Sequence, residues 1–314
     1  MINSENYYSA ESSKSFMSVS QFKSFMECEA KAMAEISGEY QRETTNALLI
    51  GSYVDSFFEG TLDTFKKNHP EIFLKSGGLK ADFVQADEII QRVQRDEEFM
   101  KYMSGESQKI FTGSIAGVPF KGKLDSYHAG KCIVDLKVMR DFEPVWKSGK
   151  KQHFIEAWGY DIQGAVYQEL VYQATGQKLP FVICAVTKEK VPDIAIFSIP
   201  QVRLDYCLGL VMSKAPHFQA IKTGTVSPER CEKCDFCKST KKLEGAVDYR
   251  DFSESPEPPE THVNEPVSVS TIPNDVILPE PEKPIAEPAN AQKKHKKKSK
   301  KKKDKSHRKI IIKF

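Results

Sequence analysis

Residues 121–139, KGKLDSYHAGKCIVDLKVM, decide the fold of this 314-residue chain. Apolar and β-branched residues on either side of the turn at residues 128–130 predict two antiparallel strands joined as a hairpin. A hairpin centred on this turn places Asp125 opposite Asp135 and Lys123 opposite Lys137. Directly opposed side chains in such a pair have Cβ atoms about 4.5–5.5 Å apart. We therefore expect two carboxylates and two ammonium groups on one face of the hairpin.

The paired carboxylates indicate a site for a divalent cation. Two carboxylates this close repel each other unless a cation lies between them. A hard cation takes carboxylate oxygens together with waters and substrate phosphate, polarises a phosphoryl oxygen and generates hydroxide from bound water. Lys137 would then position that water or stabilise the developing negative charge.

The alternative to a metal site is an exposed edge strand that carries solvated Asp–Lys pairs. Against this alternative, the strand that contains Asp135 is apolar on both faces, and charged residues in a strand buried on both faces need a purpose. The apolar residues are Ile133, Val134, Leu136, Val138 and Met139.

The rest of the chain alternates between helical and strand patterns. These patterns predict an α/β fold, a central mixed sheet flanked by helices. The expected helices are residues 18–37, 46–59, 81–103, 152–175 and 201–223, and the expected strands are residues 109–114, 118–127, 131–139, 179–188 and 192–200.

Three motifs in this order resemble the PD-(D/E)XK nuclease superfamily: GKLD (122–125), VDLK (134–137) and the helical GYDIQGAVY (159–167). Within that superfamily the chain is similar to RecE-type phage and prophage exonucleases and to RecB-like nuclease domains, over residues 18–242. The resemblance implies a restriction-endonuclease-like core and a metal-dependent DNA exonuclease that acts on duplex ends. It also implies a role in phage recombination with a single-strand annealing protein.

The resemblance assigns roles to residues of this chain. It implies that Asp125 and Asp135 bind Mg²⁺ or Mn²⁺ together with the Leu136 carbonyl, and that Lys137 is the catalytic lysine. Gln163 and Tyr167, which share one helix face, match the element expected to contact DNA. We expect Lys123 to contact DNA as well. The alternative for Gln163 and Tyr167 is ordinary helix packing.

One position departs from the family pattern. RecE-like and RecB-like nucleases usually offer a metal-binding histidine from an early helix in the context G-x-x-x-H, whereas GSYVD here places Asp55 at that point. An aspartate can ligate a hard cation, so we expect Asp55 to join the site; the alternative is a solvated helix residue. The departure leaves open a catalytically weak DNA-binding or scaffolding module, and a nuclease that acts endonucleolytically or on RNA is a further alternative.

Four cysteines form a second candidate site. Cys231, Cys234 and Cys237 have C-x2-C-x2-C spacing, and Cys28 is the early cysteine that could complete the set. Four thiolates can hold a 4Fe-4S cluster or a tetrahedral Zn²⁺. The pattern resembles iron–sulfur nucleases of the AddB and CRISPR-associated types, which favours the 4Fe-4S cluster; zinc and the absence of any metal stay as alternatives.

The ends of the chain differ from the body in composition. We expect residues 1–17 to be disordered, residues 18–245 to form the nuclease domain, and residues 246–292, rich in Pro and Glu, to be a disordered linker. Residues 293–314 carry a formal charge of +12 and predict a polyanionic partner, with a solubility tail as the alternative.

The expected surroundings follow from two absences in the sequence. No apolar run is long enough to span a membrane and the start lacks the regions of a secretory signal, so we expect a cytoplasmic protein with reduced thiols. An oligomer is possible.

Overall fold

The computed structural model describes residues 2–147, 149–243, 245, 246 and 248. The predicted linker and basic tail lie outside the described residues, apart from Ala246 and Asp248. The helices are α1 (Ala10–Ser15), α2 (Val19–Glu27), α3 (Glu29–Ser37), α4 (Asn46–Phe58), α5 (Leu62–Asn68), α6 (Ala81–Gln94), α7 (Glu97–Met103), α8 (Phe154–Ala157), α9 (Tyr160–Thr175), α10 (Gln201–Lys222) and α11 (Asp235–Ser239), with a 3-10 turn at Pro70–Ile72. The strands are β1 (Met17–Ser18), β2 (Glu106–Ile115), β3 (Val118–His128), β4 (Cys132–Met139), β5 (Val145–Lys147), β6 (Lys150–Gln152), β7 (Phe181–Thr187) and β8 (Ile194–Ser198).

A mixed sheet with the order β1-β3-β4-β7-β8 forms the centre, and β2 pairs with the outer edge of β3. The predicted antiparallel hairpin of β3 and β4 is confirmed, β2 pairs with β3 in antiparallel orientation, and the two later predicted strands are present. β4 then runs parallel to β7, which pairs with β8 in antiparallel orientation. The predicted fold class, a mixed sheet flanked by helices, is therefore confirmed.

The hairpin has the predicted register but is shorter than predicted. Ser126 pairs with Val134 and His128 with Cys132, as a hairpin centred on Gly130 requires. The ladder ends there, so the predicted backbone oppositions of Asp125 to Asp135 and of Lys123 to Lys137 are both wrong. The physical reason is that β1 and β4 pair with the same edge of β3. Strand β1 occupies this edge at Phe120, and β4 follows β7 instead as far as Met139. The two strands separate, and a cleft opens between them next to Asp125.

Two hydrophobic cores lie on opposite faces of the sheet. One core contains residues of α2, α9 and α10, including Phe22, Leu170 and Phe218. The other contains residues of α4, α6 and α7, including Tyr53 and Ile89. Side chains of β4 and β7 alternate between the cores, because successive strand residues point to opposite faces. The sheet is thus buried on both sides in this region, as its apolar sequence predicted.

Three predicted helices are each interrupted. The first breaks at Cys28, whose backbone is extended; the third breaks at Asp96, whose side chain caps α7; and the fourth breaks at Gly159, in the left-handed region with φ +63°. Apolar periodicity continues across each break, so periodicity alone did not reveal them. The breaks matter because Cys28 and the residues beside Gly159 face the candidate sites.

The expectation of a disordered N-terminus needs correction. Residues 10–15 form α1, with Ser9 as its N-cap, and Tyr7 and Ser12 are buried. The buried ammonium group of Lys121 donates hydrogen bonds to the Tyr7 carbonyl and the Ser12 hydroxyl. These long-range hydrogen bonds order the segment against β3. The polar composition of the segment gave no sign of them.

No helix among the described residues is long and apolar enough to cross a membrane.

Candidate active site

The predicted site residues converge on one cavity of about 340 Å³ at the cleft between β3 and β4. Strand β3 and strand β4 supply the predicted aspartates and lysines, α4 supplies Asp55, and α9 supplies the glutamine and tyrosine. The predicted residues that line the cavity are Asp55, Lys123, Asp125, Asp135, Lys137, Gln163 and Tyr167. Residues separated by more than 100 positions in the sequence are therefore brought together, although their catalytic roles stay predictions.

The end of the β3–β4 ladder positions Asp125. Its Oδ2 atom accepts a hydrogen bond of 2.8 Å from the Leu136 backbone N–H, in place of the next ladder bond. The N–H and C=O groups of one strand residue point to the same edge, so the Leu136 carbonyl lies on the side of Asp125. This arrangement agrees with the predicted use of that carbonyl as a metal ligand.

Asp135 is the most buried of the three aspartates, with 1% of its surface exposed. The Lys137 ammonium group contacts its Oδ2 atom, and Gln163 Nε2 donates a 2.6 Å hydrogen bond to its Oδ1 atom. Gln163 thus contacts a carboxylate of the site directly, and it fixes the orientation of that carboxylate. Lys137 also donates to the Leu136 carbonyl at 3.2 Å.

Carboxylates in the cavity repel one another although Lys137 lies near them. Burial and the neighbouring Asp135 raise the pKa of Asp125 to about 7. Burial and Asp125 raise the pKa of Asp55 well above its usual range. Burial alone would lower the pKa of Lys137, but Asp135 and Asp125 raise it, so the lysine stays charged. A cation among the three carboxylates would remove the repulsion between them.

Asp55 faces this cavity and is half-buried, so the alternative of a solvated helix residue does not describe it. Tyr167, by contrast, is buried with 8% exposed and packs edge-on against Phe181. Its ring also packs against Gly122, where an added Cβ atom would lie only 2.9 Å from the nearest ring carbons. Packing therefore accounts for most of the Tyr167 side chain, and only part of it reaches the cavity.

Sequence reasoning missed several residues that line the cavity. Glu59, one helical turn after Asp55, lies 3.8 Å from the Lys123 ammonium group. Tyr8 contributes an aromatic ring 4.9 Å from the same ammonium group. The i, i+4 spacing of Asp55 and Glu59 is a signal that could have found the glutamate. The tyrosine had no such signal, because its segment is ordered only by tertiary contacts.

Gln108 is a further missed residue at the cavity. Its backbone lies in the left-handed region at φ +56°, which a residue with a side chain rarely adopts. Its buried Oε1 atom has no hydrogen-bond partner among the described residues. Strain and unpaired polar atoms concentrate at functional sites, and both occur here next to the carboxylates.

The four cysteines also converge. The sulfur atoms of Cys28, Cys231, Cys234 and Cys237 all lie within 4.8 Å of one another. The Sγ atom of Cys237 is 3.6 Å from that of Cys28 and 3.9 Å from that of Cys231. Backbone N–H groups point at the sulfurs, with the Cys234 N–H 3.3 Å from Cys231 Sγ. The predicted set of ligands is thus assembled, at the break between α2 and α3.

The comparisons with known proteins agree with this geometry. The model of a family described as a PDDEXK-like domain of unknown function, DUF3799, matches residues 18–240. The chain belongs to this family. It therefore has a PDDEXK nuclease-like domain, as the three sequence motifs predicted.

Among solved structures, this DUF3799 member is similar to a protein from Eubacterium rectale named a "putative exonuclease". The two are 48% identical, with a TM-score of 0.78, over 81% of this chain and 99% of that chain. A structure of a protein called SSO0001 is 10% identical over 60% of this chain and 84% of that chain, and its TM-score of 0.26 is too low to inform the fold. No curated protein matches this chain.

Proposed function

We propose that this protein is a DNA exonuclease that depends on Mg²⁺ or Mn²⁺ and hydrolyses phosphodiesters at duplex ends. The observation that carries the proposal is the convergence of Asp125, Asp135 and Lys137, with Asp55 beside them, in one open cavity. The similarity to a protein named an exonuclease supports the same activity.

The residues present fit a hard divalent cation. The donors around the cavity are carboxylate oxygens of Asp55, Asp125 and Asp135 and the Leu136 carbonyl, which is the donor set that Mg²⁺ and Mn²⁺ prefer. Burial and repulsion from Asp135 raise the pKa of Asp125 although Lys137 is nearby, and a bound cation would oppose both effects. When bound, the cation would polarise the scissile phosphate and acidify a water molecule.

The chain's own residues supply positioning and charge. Lys137 stays protonated beside Asp135 and can donate a hydrogen bond to the phosphate oxygen on which negative charge develops. Gln163 holds the Asp135 carboxylate, so its lone pairs keep a fixed direction. Lys123 also lines the cavity, where an ammonium group attracts the DNA backbone.

The alternatives differ in what Asp55 does. A catalytically weak scaffolding module was suggested by aspartate in place of histidine, but Asp55 faces the other carboxylates and offers oxygen to the same cation. This orientation favours the enzyme. An endonuclease would use the same groups, so only an experiment can distinguish cutting at ends from internal cutting.

The finer parts of the proposal derive from the resemblance to RecE-type exonucleases. We propose a role in phage or prophage recombination together with a single-strand annealing protein. The basic tail would add phosphate contacts. The proposed location is the cytoplasm, because a reducing compartment keeps cysteine ligands as thiolates.

The test of the enzymatic proposal is degradation of linear duplex DNA labelled at its ends, with Mg²⁺ or Mn²⁺. The wild type is compared with Asp135→Ala and Lys137→Ala, and covalently closed circular duplex is the control for internal cutting. Release of nucleotides from linear DNA by the wild type alone supports the exonuclease. Nicking of the circle would instead identify an endonuclease. Binding without cutting under either cation would instead identify a scaffolding module.

We further propose that the four cysteines hold one tetrahedral ion, such as Zn²⁺, in place of the 4Fe-4S cluster favoured by the sequence. With Zn–S bonds of about 2.3 Å, tetrahedral thiolates stand roughly 3.8 Å apart. The thiolates of a cubane bind different iron atoms on its outside and stand roughly 6 Å apart. Sulfur separations of 3.6 and 3.9 Å support the single ion.

The metal at the cysteines can be identified directly on anaerobically purified protein. We expect about one zinc per chain by elemental analysis, no iron and no visible absorption band, with zinc lost in Cys234→Ser. Iron and acid-labile sulfide in a ratio of one to one, with a visible band, would restore the iron–sulfur cluster.

A further inference from the structure

Lysines and aromatic rings alternate along a path that leads out of the cavity. We call this path the lysine–aromatic track and define it by Lys137, Tyr160, Lys23, Trp158 and Lys147. The ammonium groups of Lys137 and Lys23 lie 5.2 and 5.6 Å from the centre of the Tyr160 ring. The ammonium group of Lys147 lies 5.1 Å from the centre of the Trp158 ring. The track therefore begins at the catalytic lysine and ends at the β5–β6 hairpin.

Backbone carbonyls hold the two outer lysines in place. Lys23 Nζ donates to the Trp158 carbonyl at 3.0 Å, and Lys147 Nζ donates to the Ala157 carbonyl at 2.7 Å. Within the part of the chain that the structure describes, neither ammonium group forms an ion pair with a carboxylate. Each keeps donors for an anion, because an ammonium group has three N–H bonds.

The three lysines of the track repel one another, and at Lys23 the attraction of Asp135 and Glu27 offsets this repulsion only in part. Burial and repulsion from Lys137 and Lys147 lower the pKa of Lys23 to about 8. A row of cations that repel one another is the complement of a row of phosphates. The Lys23 side chain also lines the cavity, so the row is continuous with the candidate active site.

Trp158 adds a surface for a base. Lys147 covers its ring, yet 46% of the residue remains exposed, which is unusual for so large an apolar side chain. Exposed aromatic rings interleaved with cations are the pattern by which proteins bind single-stranded nucleic acid, through stacking and phosphate contacts.

We propose that the lysine–aromatic track binds the single strand of DNA adjacent to the scissile phosphate, with a base stacked on Trp158 and phosphates on Lys23 and Lys147. The proposal rests on the proposed nuclease function for the identity of the substrate. It adds that one strand leaves the duplex before it reaches the carboxylates, since a paired base cannot stack on a side chain.

The β5–β6 hairpin contains matched controls for both types of contact. Trp146 is 72% exposed and pairs with Lys151 across the hairpin, and both point away from the face that carries Lys147. These two residues have the same chemistry as Trp158 and Lys147 but lie outside the track.

The sequence contains two tryptophans, so each can be made the single fluorescent reporter. Full-length protein in EDTA, where hydrolysis is blocked, is titrated with single-stranded oligothymidylate. We expect quenching in Trp146→Phe, in which Trp158 reports, and little change in Trp158→Phe, in which Trp146 reports. Equal quenching in both variants, or none in the first, would overturn the stacking contact.

The affinity for the same oligonucleotide tests the track independently. Trp158→Ala should bind roughly tenfold more weakly or worse, as loss of a stacked base predicts, whereas Trp146→Ala should bind as the wild type does. Lys147→Gln should reduce the salt slope of log Kd by about 0.7, the value for one phosphate on a single strand, and Lys151→Gln should not. If each variant in the track has the same affinity and salt slope as its control in the hairpin, the proposal is wrong.

These measurements separate failure of the track from failure of the nuclease. If the wild type never cuts DNA but Trp158 is quenched and Lys147 carries the salt slope, the track stands and the nuclease assignment falls. If the wild type cuts from ends while Trp158→Ala matches Trp146→Ala in affinity and in KM, the nuclease stands and the track falls.

Discussion

The carboxylate site and the cysteine site both unite residues that are far apart in sequence, but they are supported differently. Asp125 and Asp135 lie on strands between two large cores, beside an open cavity. Cys28 and Cys237 belong to a small separate cluster with few apolar partners. The first site is held by the sheet whether or not a cation is bound. The second has little apart from its sulfur atoms to hold it.

Because of this difference, we expect loss of a metal ion to affect activity at the first site and stability at the second. A cation at the carboxylates would relieve repulsion in a framework that is already formed, so its removal should abolish chemistry and leave the fold. An ion at the cysteines would join the start of α3 to the segment around α11, which is otherwise attached by contacts such as the 3.0 Å bond from the Ala30 N–H to the Glu229 carbonyl. Its removal should release that segment and leave chemistry at the carboxylates intact.

The largest expected effect is on activity at the carboxylate site. Asp135→Asn should reduce the rate of end degradation roughly a thousandfold, because loss of a charge that we propose binds the metal raises the barrier by several kcal/mol. The melting temperature should stay within a few degrees of the wild-type value or increase, because a buried negative charge is removed. Gel-based assays at saturating Mn²⁺ measure the first quantity and calorimetry the second.

The matched control for this variant is Asp205→Asn, which removes an exposed carboxylate paired with Lys178 on the surface. It should leave the rate unchanged. A loss of rate in the control, or an Asp135→Asn protein that melts far below the wild type, would mean that the two sites do not differ in the way described.

The cysteine site should show the opposite pattern. Cys28→Ser should lower the free energy of unfolding by about 3 kcal/mol through loss of the metal and leave the rate per folded molecule within about twofold. Cys207→Ala, which alters a buried cysteine outside the cluster, should keep the metal and cost about 1 kcal/mol. Denaturation curves, metal content and rates on the same preparations decide between the patterns.

The sequence predicted the centre of both sites for physical reasons. The β3–β4 register follows from alternation and one turn, so the positions of Asp125 and Asp135 could be derived from local rules. Cysteine spacing at residues 231–237 is equally local. Both placements could be predicted because the relevant geometry is fixed within one or two neighbouring elements, whereas the roles of these residues stay predictions.

The features that the sequence could not reveal depend on contacts between elements that are far apart in the chain. β1, which contains two residues, displaces β4 from the edge of β3, and no local pattern announces so short a strand. The N-terminal segment is ordered by Lys121, a buried cation more than 100 residues away. Lys23, Trp158 and Lys147 form a track only because Gly159 breaks the helix between α8 and α9.

The precision of α9 can be tested with a smaller change. A Cβ on Gly164 would collide with the ring of Phe181, so Gly164→Ala should push α9 away from β7 at a cost of about 1–3 kcal/mol. Because Gln163 lies next to it, the rate should also decrease, by about tenfold if Gln163 loses Asp135. Thermal melts and rates measure the two effects.

Gly209→Ala in α10 is the matched control. A Cβ there meets nothing within 4 Å, so the change should stabilise the protein by about 0.5–1 kcal/mol through helix propensity and leave the rate unchanged. If both alanine variants behave alike, tight packing of α9 does not position the carboxylate site.

The smallest expected effect is a dependence of stability on pH in protein stripped of divalent cations. The pKa of Asp125 is raised to about 7, whereas an unfolded aspartate titrates near 4. Between these values the folded state binds more protons than the unfolded state, so stability should decrease as the pH rises from about 4 to 7 and then level off. We expect a melting temperature a few degrees lower at pH 7 than at pH 5, measured in EDTA.

Two changes should remove or reverse this trend if the carboxylates are a cation site. Asp125→Asn has no group that titrates at this position, so its melting temperature should vary less between pH 5 and pH 7 than that of the wild type. Saturating Mn²⁺ binds the ionised carboxylates, so stability should then increase with pH over the same range. A wild type whose pH profile is the same with and without Mn²⁺ would show that the three aspartates do not bind the cation together, and the contrast with the cysteine site would lose its basis.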